Sequence, residues 1–363
     1  MSATDTIEYR QAEGEFAQQL PDIIEPVWWT GQPALDPALF TIDCTMHDMG
    51  DPDLDPQGSL ATRMRVTFHD VGLVHLVNTQ LTELGRMRQF AKLVLGEEMN
   101  YEGGSNPRHS IEPNVYEVGA PLTAHLHYHH EMAYVGKSTE MLAFMCAHAL
   151  PGRGSTFVSD NLAATDAILA TEFGQKLKEL GVCYHRTLTD RTAFADRLEV
   201  GVYNHWQQSL GTEDPYEAVA RAQDRGLVTE WCKDRLLKTR YYVSAFEYFP
   251  QLDRNVLYSS VADHGMWFDA WPLVQHLPYR ERPLNLTFGD DSEMSEDELR
   301  QFVAAYDRFG IELDWERGDL AVICNYRFAH GRPAIHLQPG EDRKLGVLLG
   351  AKYARRGDRD GKW

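Results

Sequence analysis

Two imidazoles and a carboxylate that converge on one point can hold a divalent metal, and the stretch HLHYHHEMAY (125–134) is the richest source of both in the chain. Read as part of a strand over 122–136, it places residues two apart on one face, so His129 and Glu131 would offer a ring nitrogen and a carboxylate oxygen to one cation. His125 and His127 share that parity and would sit beside the metal or the substrate, whereas His130 would face the other way. The third ligand must come from a distant histidine. His330 suits the role, because it ends GDLAVICNYRFAHGRP, where a strand pattern runs into a Gly-Pro turn. Such a set fills three adjacent positions and leaves three open, the arrangement that non-haem iron(II) oxygenases need for co-substrate and O2. A zinc-dependent hydrolase or a non-catalytic metal-binding jelly-roll protein accepts the same donors, so the three residues alone do not choose among them.

The elements that would position these residues are mostly strands. GLVHLVNT precedes an amphipathic helix over 81–95, and NVYEVG (114–119) follows the Gly- and Pro-containing loop YEGGSNPR (101–108). EMLAFMCAHAL (140–150) is apolar on both faces, as a strand buried on both sides would be, and GRGSTFVSDN turns the chain toward a helix over 161–179. Between about 183 and 310 the pattern is mixed. CYHRTL and RYYVSAFEYF read as strands, DPYEAVARAQDRG and SEDELRQFVAAYDRFG as surface helices, and the whole stretch as an insertion. The chain closes on GDLAVICNYRFAHGRP and RKLGVLLGAKYA, two strand patterns joined by a loop. These signals predict one elaborated domain over 1–363, mainly β with peripheral helices, on an antiparallel jelly-roll core.

Composition narrows the partners. The 363 residues carry 35 basic and 54 acidic side chains, a net charge of −19, which repels nucleic acid and anionic membrane. Five cysteines without a C-x-x-C pair and an N-terminus that is polar and acidic predict free thiols and a cytoplasmic protein without a membrane span. Nothing in the sequence decides between monomer and homo-oligomer.

Over roughly 115–350 the sequence resembles the 2-oxoglutarate-dependent taurine dioxygenase family, in particular its branch with clavaminate synthase and the syringomycin-pathway aspartyl hydroxylase. HHEMAY (129–134) matches the first motif, with Glu131 in the acid position, and GDLAVICNYRFAHGR the last, ending on His330. The resemblance implies a double-stranded β-helix (jelly roll) with a long insertion between the two iron motifs, iron(II) on His129, Glu131 and His330, and 2-oxoglutarate as co-substrate. Thr156 and Arg343 match the family's threonine and arginine that hold the far carboxylate of 2-oxoglutarate, with Arg332, which either faces the co-substrate or braces the turn, ranked behind Arg343. The implied reaction consumes O2, releases succinate and CO2, and hydroxylates, desaturates or cyclises a small polar substrate derived from an amino acid.

Two positions bear on which reaction. Glu131 occupies the site that a halogenase of this fold leaves to chloride, which argues against chlorination. Taurine dioxygenase carries a further arginine four residues beyond its 2-oxoglutarate arginine, and Val347 stands there instead, which argues against a sulfonate substrate. Substrate contacts are expected among Asn106, Arg108, His127, Tyr134, Asn325 and Arg327, near the iron motifs or in the 101–108 loop. Trp206, Trp231 and Trp267 in the insertion are read equally as core aromatics and as pocket walls. A carrier protein that presents the substrate is left open.

Overall fold

The computed structural model of the protein describes residues 35–101, 110–118, 120–150, 152–193, 204–262, 264–265 and 274–359. Its frame is two β-sheets. The larger has eight strands in the order β1-β2-β16-β7-β18-β5-β4, with β3 pairing off β18. These are β1 (Thr41–Asp43), β2 (Leu73–Val77), β3 (Glu98–Met99), β4 (Ser110–Glu112), β5 (Val115–Glu117), β7 (Lys137–His148), β16 (Leu320–Cys324) and β18 (Lys344–Ala354). The smaller runs β15-β8-β17-β6, formed by β6 (Leu126–His129), β8 (Thr156–Asp160), β15 (Gly310–Leu313) and β17 (Phe328–Arg332). All pairings in these two sheets are antiparallel except β1 with β2.

Alternation along the long strands explains why they read as apolar on both faces. Leu142, Phe144 and Cys146 of β7 belong to the core between the sheets, together with Ile323 of β16 and Leu345, Val347 and Leu349 of β18. Ala143, Met145 and Ala147 point the other way, into a second core with helices α1 (Ser59–Val71) and α2 (Leu84–Leu95). The large sheet is thus covered on its outer face by helices and on its inner face by the smaller sheet.

The predicted insertion leaves the small sheet after β8 and rejoins it at β15. It begins earlier than 183, because α3 (Asn161–Leu169) and α4 (Glu172–Leu180) already lie off the two sheets. Its own sheet runs β10-β11-β9-β14, from β9 (Val182–Leu188), β10 (Val228–Trp231), β11 (Leu237–Val243) and β14 (Leu284–Phe288). Helices α5 (Trp206–Leu210) and α6 (Pro215–Asp224), the hairpin of β12 (Phe246–Phe249) and β13 (Arg254–Leu257), and α7 (Glu296–Asp307) complete it. A capping box at Ser295 and Glu298 starts α7. Trp206 is fully buried and meets the half-exposed Trp231 edge-on, so this pair packs the insertion; Trp267 lies outside the described residues.

One expectation about the ends of the strands fails. GDLAVICNYRFAHGRP is two strands in different sheets, β16 in the large and β17 in the small, with Asn325–Arg327 crossing between them. His330 therefore lies within β17 and not at a strand end.

Candidate metal and co-substrate site

β17 carries His330 between two partners, with His129 of β6 opposite on one side and Val158 of β8 on the other. Residues directly opposite in neighbouring strands share a face, so both imidazoles point the same way. Their ring centroids are 4.3 Å apart. His330 also meets Phe144 of the large sheet at 5.4 Å, which places this face in the space between the sheets. Gly331 is required next to it: a Cβ there would lie 2.2 Å from the Phe157 ring and 2.4 Å from the Leu126 carbonyl.

Glu131 reaches the same point by a route the strand reading did not foresee. β6 stops at His129, and 131–134 form a turn in which Met132 takes a positive φ of 58°. The same-face argument therefore does not apply to His129 and Glu131; the turn swings the carboxylate back. Asn325, at the crossing between the sheets, holds that turn. Its side-chain oxygen accepts the Glu131 N–H at 2.9 Å, and its amide donates to the carbonyls of Glu131 (3.1 Å) and Thr139 (2.8 Å) and to the Tyr258 hydroxyl (2.7 Å). Ser138 donates to the Glu131 carbonyl as well, and Arg355 to that of Ala133 at 2.6 Å. Arg355 and its partner Glu247 are both buried, an ion pair at 3.1 Å that anchors the turn from behind.

In the result, one ligand atom each from His129, Glu131 and His330 lies within 4.8 Å of the other two. The Glu131 carboxylate is 3.9 Å from Nε2 of His330, and both residues are buried. His129 Nδ1 is 2.8 Å from the His127 carbonyl, to which only a protonated nitrogen can bond. That contact fixes the tautomer and leaves the Nε2 lone pair for a metal. Two neutral nitrogens and one carboxylate oxygen suit a divalent first-row ion.

Thr156 opens β8 two residues from Val158 and so shares the inner face. The buried Trp315 donates its indole N–H to the Thr156 hydroxyl oxygen at 3.0 Å and leaves the hydroxyl hydrogen for another acceptor. Arg343, immediately before β18, is buried, and its Nε donates to the Gly154 carbonyl at 2.9 Å. Gly154 has φ +75°, and a Cβ there would meet that Nε at 2.9 Å. The threonine and the arginine are thus joined through one short segment, 154–156. Behind them lies a buried pair, His75 edge-on to Trp315 and 3.9 Å from Asp319. Burial pushes His75 down to about 4 and Asp319 up to about 6.

The other expected contacts divide. Arg332 donates to the backbone carbonyls of Leu122 (2.9 Å), Ala124 (2.7 Å) and Pro121, so it braces the approach to β6. Arg327 donates to the carbonyls of His69 and Asp70, capping α1. Asn325 positions Glu131. His127 is buried against His125, ring to ring at 4.4 Å. His130 faces away as expected, stacked on Tyr258, and burial pushes it down to about 3. Tyr134 packs with His264 and Tyr184 beneath the Glu131 turn. Asn106 and Arg108 lie outside the described residues. Asn325's bracing role and the Trp315 contact were missed. The only available signal was their nearness in sequence to His330.

The chain is similar to known proteins over most of its length. The family model described as "Taurine catabolism dioxygenase TauD, TfdA family" matches residues 48–349. A clavaminate synthase-like protein of Arabidopsis thaliana is 28% identical over 242 residues, 65% of this chain and 69% of that protein. The dapdiamide synthesis protein DdaC of Enterobacter agglomerans is 23% identical over 270 residues, 69% of this chain and 75% of its own. Among solved structures, a taurine dioxygenase from Burkholderia xenovorans superposes with a TM-score of 0.48 at 14% identity, covering 84% of each chain.

Proposed function

Because this chain belongs to the TauD, TfdA family of dioxygenases, we propose that His129, Glu131 and His330 hold its iron, that Thr156 and Arg343 hold its 2-oxoglutarate, and that it oxidises a small polar substrate derived from an amino acid. The enzyme is an Fe(II)- and 2-oxoglutarate-dependent dioxygenase, which sets aside the hydrolase and the non-catalytic readings. When bound, iron with its co-substrate and O2 supplies an oxidant able to break a C–H bond, with release of succinate and CO2. One observation carries the ligand assignment: three donors from β6, the following turn and β17 converge to within 4.8 Å at a buried point. Arg343 then offers a guanidinium fork, and Thr156 a hydroxyl hydrogen aimed by Trp315, to the far carboxylate of 2-oxoglutarate. Phe144 and Val347, both in the core between the sheets, keep water from this side of the site.

The substrate reading rests on two positions. Glu131 stands where the amino-acid-oxidising branch has glutamate, and Val347 is buried among apolar side chains where a sulfonate-binding arginine would be needed. The described residues include no helix long and apolar enough to cross a membrane, and a cytoplasmic enzyme that works as one elaborated domain fits this reading. To test it, the iron(II) enzyme is incubated with 2-oxoglutarate, O2 and a panel of amino acids, amines, carrier-bound aminoacyl groups and sulfonates. The expected result is substrate-dependent succinate with a product gain of one oxygen, or loss of two hydrogens, from an amino-acid derivative. Turnover coupled to sulfonates alone, or a chlorinated product in chloride buffer, would sink the substrate reading.

A further inference from the structure

We propose that Cys183, His185 and Asp291 form a second metal site, of zinc type, on the outer face of the insertion sheet. One ligand atom from each of the three lies within 4.8 Å of the others, and the His185 Nε2 to Asp291 Oδ1 distance is 3.8 Å. Metal–nitrogen and metal–sulfur bonds of about 2.0 and 2.3 Å at a tetrahedral ion put donors roughly 3.3–3.8 Å apart, so small side-chain rotations close the site.

The sheet register builds the cluster. Cys183 and His185 are two apart on β9 and share its outer face. Tyr242 of β11 and Thr287 of β14 flank Cys183 in the neighbouring strands. Tyr242 donates its hydroxyl to the Asp291 carboxylate, with oxygens at 3.2 and 3.3 Å, and Thr287 Oγ1 is 3.0 Å from His185 Nε2. These contacts gather the donors; Thr287 gives its hydrogen to the Phe288 carbonyl, so His185 Nε2 donates to Thr287, and an ion would replace that proton on binding. Asp291 sits at φ +65° in the turn after β14, which directs it back over the sheet.

Two further observations bear on which ion the site would take. A cavity of about 370 Å³ opens beside His185 and Asp291, which gives an ion access and leaves the fourth position to water. Its wall also carries Arg186, Lys238, Arg240 and Arg280, a positive lining that opposes a bare cation, with Arg240 already paired with Glu230 at 2.9 Å. A dication bound by one thiolate and one carboxylate is neutral and adds nothing to that positive wall. A hard ion such as Mg²⁺ gains little from sulfur, so the donor set favours zinc over such an ion. The site is distinct from the triad. Tyr184, between the two strand ligands, points to the opposite face and meets Tyr134 under the Glu131 turn. A metal here would tie β9 to the turn after β14 and stabilise the insertion.

Cobalt(II) is the probe, because only a thiolate ligand gives its near-ultraviolet charge-transfer band and the triad contains no sulfur. Full-length protein with one equivalent of Co(II) beyond that filling the iron site should show the band, and so should the His330→Ala variant. Cys183→Ser should lose it, and His185→Ala and Asp291→Asn should weaken binding on the order of ten- to a hundredfold. Should Cys183→Ser fail to fold, the other two, at partly exposed positions, carry the test. Absence of the band in folded wild-type protein, its survival in Cys183→Ser, or unchanged affinity in both His185→Ala and Asp291→Asn would overturn the proposal.

Discussion

His129 sets one ring nitrogen against the His127 carbonyl and would give the other to the proposed metal, and a comparable division of labour recurs at Thr156. There the Trp315 indole donates to the hydroxyl oxygen, which leaves the hydroxyl hydrogen to be given to a bound acceptor. In the proposed site Arg343 would supply the charge. A charge-assisted hydrogen bond contributes about 1.5–3 kcal/mol, so Arg343→Gln should weaken 2-oxoglutarate by roughly ten- to a hundredfold. Trp315→Phe should raise the KM for 2-oxoglutarate several-fold, with kcat little changed. Added to Thr156→Val it should cost almost nothing more, because the two residues act through one hydroxyl. Steady-state kinetics with 2-oxoglutarate varied decides the matter. If Trp315→Phe left that KM untouched while Arg343→Gln raised it, the indole would have no part in aiming Thr156.

At the scale of the elements, legibility in the sequence followed the range of the forces involved. β7, β18 and α2 were readable because their periodicity is a local record of burial, and the apolar character of β7 on both faces matches its position between two cores. The break in β6 was not readable. HLHYHHEMAY alternates well enough for a continuous strand, and what ends it is Asn325, whose bonds to Glu131 span 194 residues. The crossing between β16 and β17 was hidden for a related reason: NYR contains neither Gly nor Pro, and the change of sheet is imposed by packing. The three donors could nonetheless be grouped by residue type, since only Glu131 offered an acid beside the histidines, and the structure brings them within 4.8 Å of one another. Arg327 and Arg332 show the opposite failure. Both stand close to His330 in sequence, yet their guanidinium groups hold backbone carbonyls of distant segments.

Across the whole molecule, buried histidines make stability depend on pH. Burial pushes His75 to about 4 and His264 to about 3, both below the ordinary value of about 6.5. Between those values the unfolded chain binds protons that the native one refuses, so stability is full above about pH 6.5 and falls as pH drops. Each histidine contributes a slope of about 1.4 kcal/mol per pH unit. Asp319 works against them. Raised to about 6, it takes up a proton in the native state first, but it stands against three histidines, since His130 is held down to about 3 as well. With a net charge of −19, self-repulsion eases only once surface carboxylates protonate, below about pH 5. Thermal unfolding should therefore show Tm falling from pH 6.5 to pH 5, and a Tm that rises over that interval would contradict this balance.

The most direct test of the metal assignment is iron(II)-dependent succinate formation from 2-oxoglutarate, in aerated and anaerobic samples, for the wild type and for His129→Ala, Glu131→Ala and His330→Ala. Succinate is expected from the aerated wild type only, with iron content reduced in all three variants. Wild-type iron content and succinate yield in His129→Ala would contradict the assignment and shift it to His127.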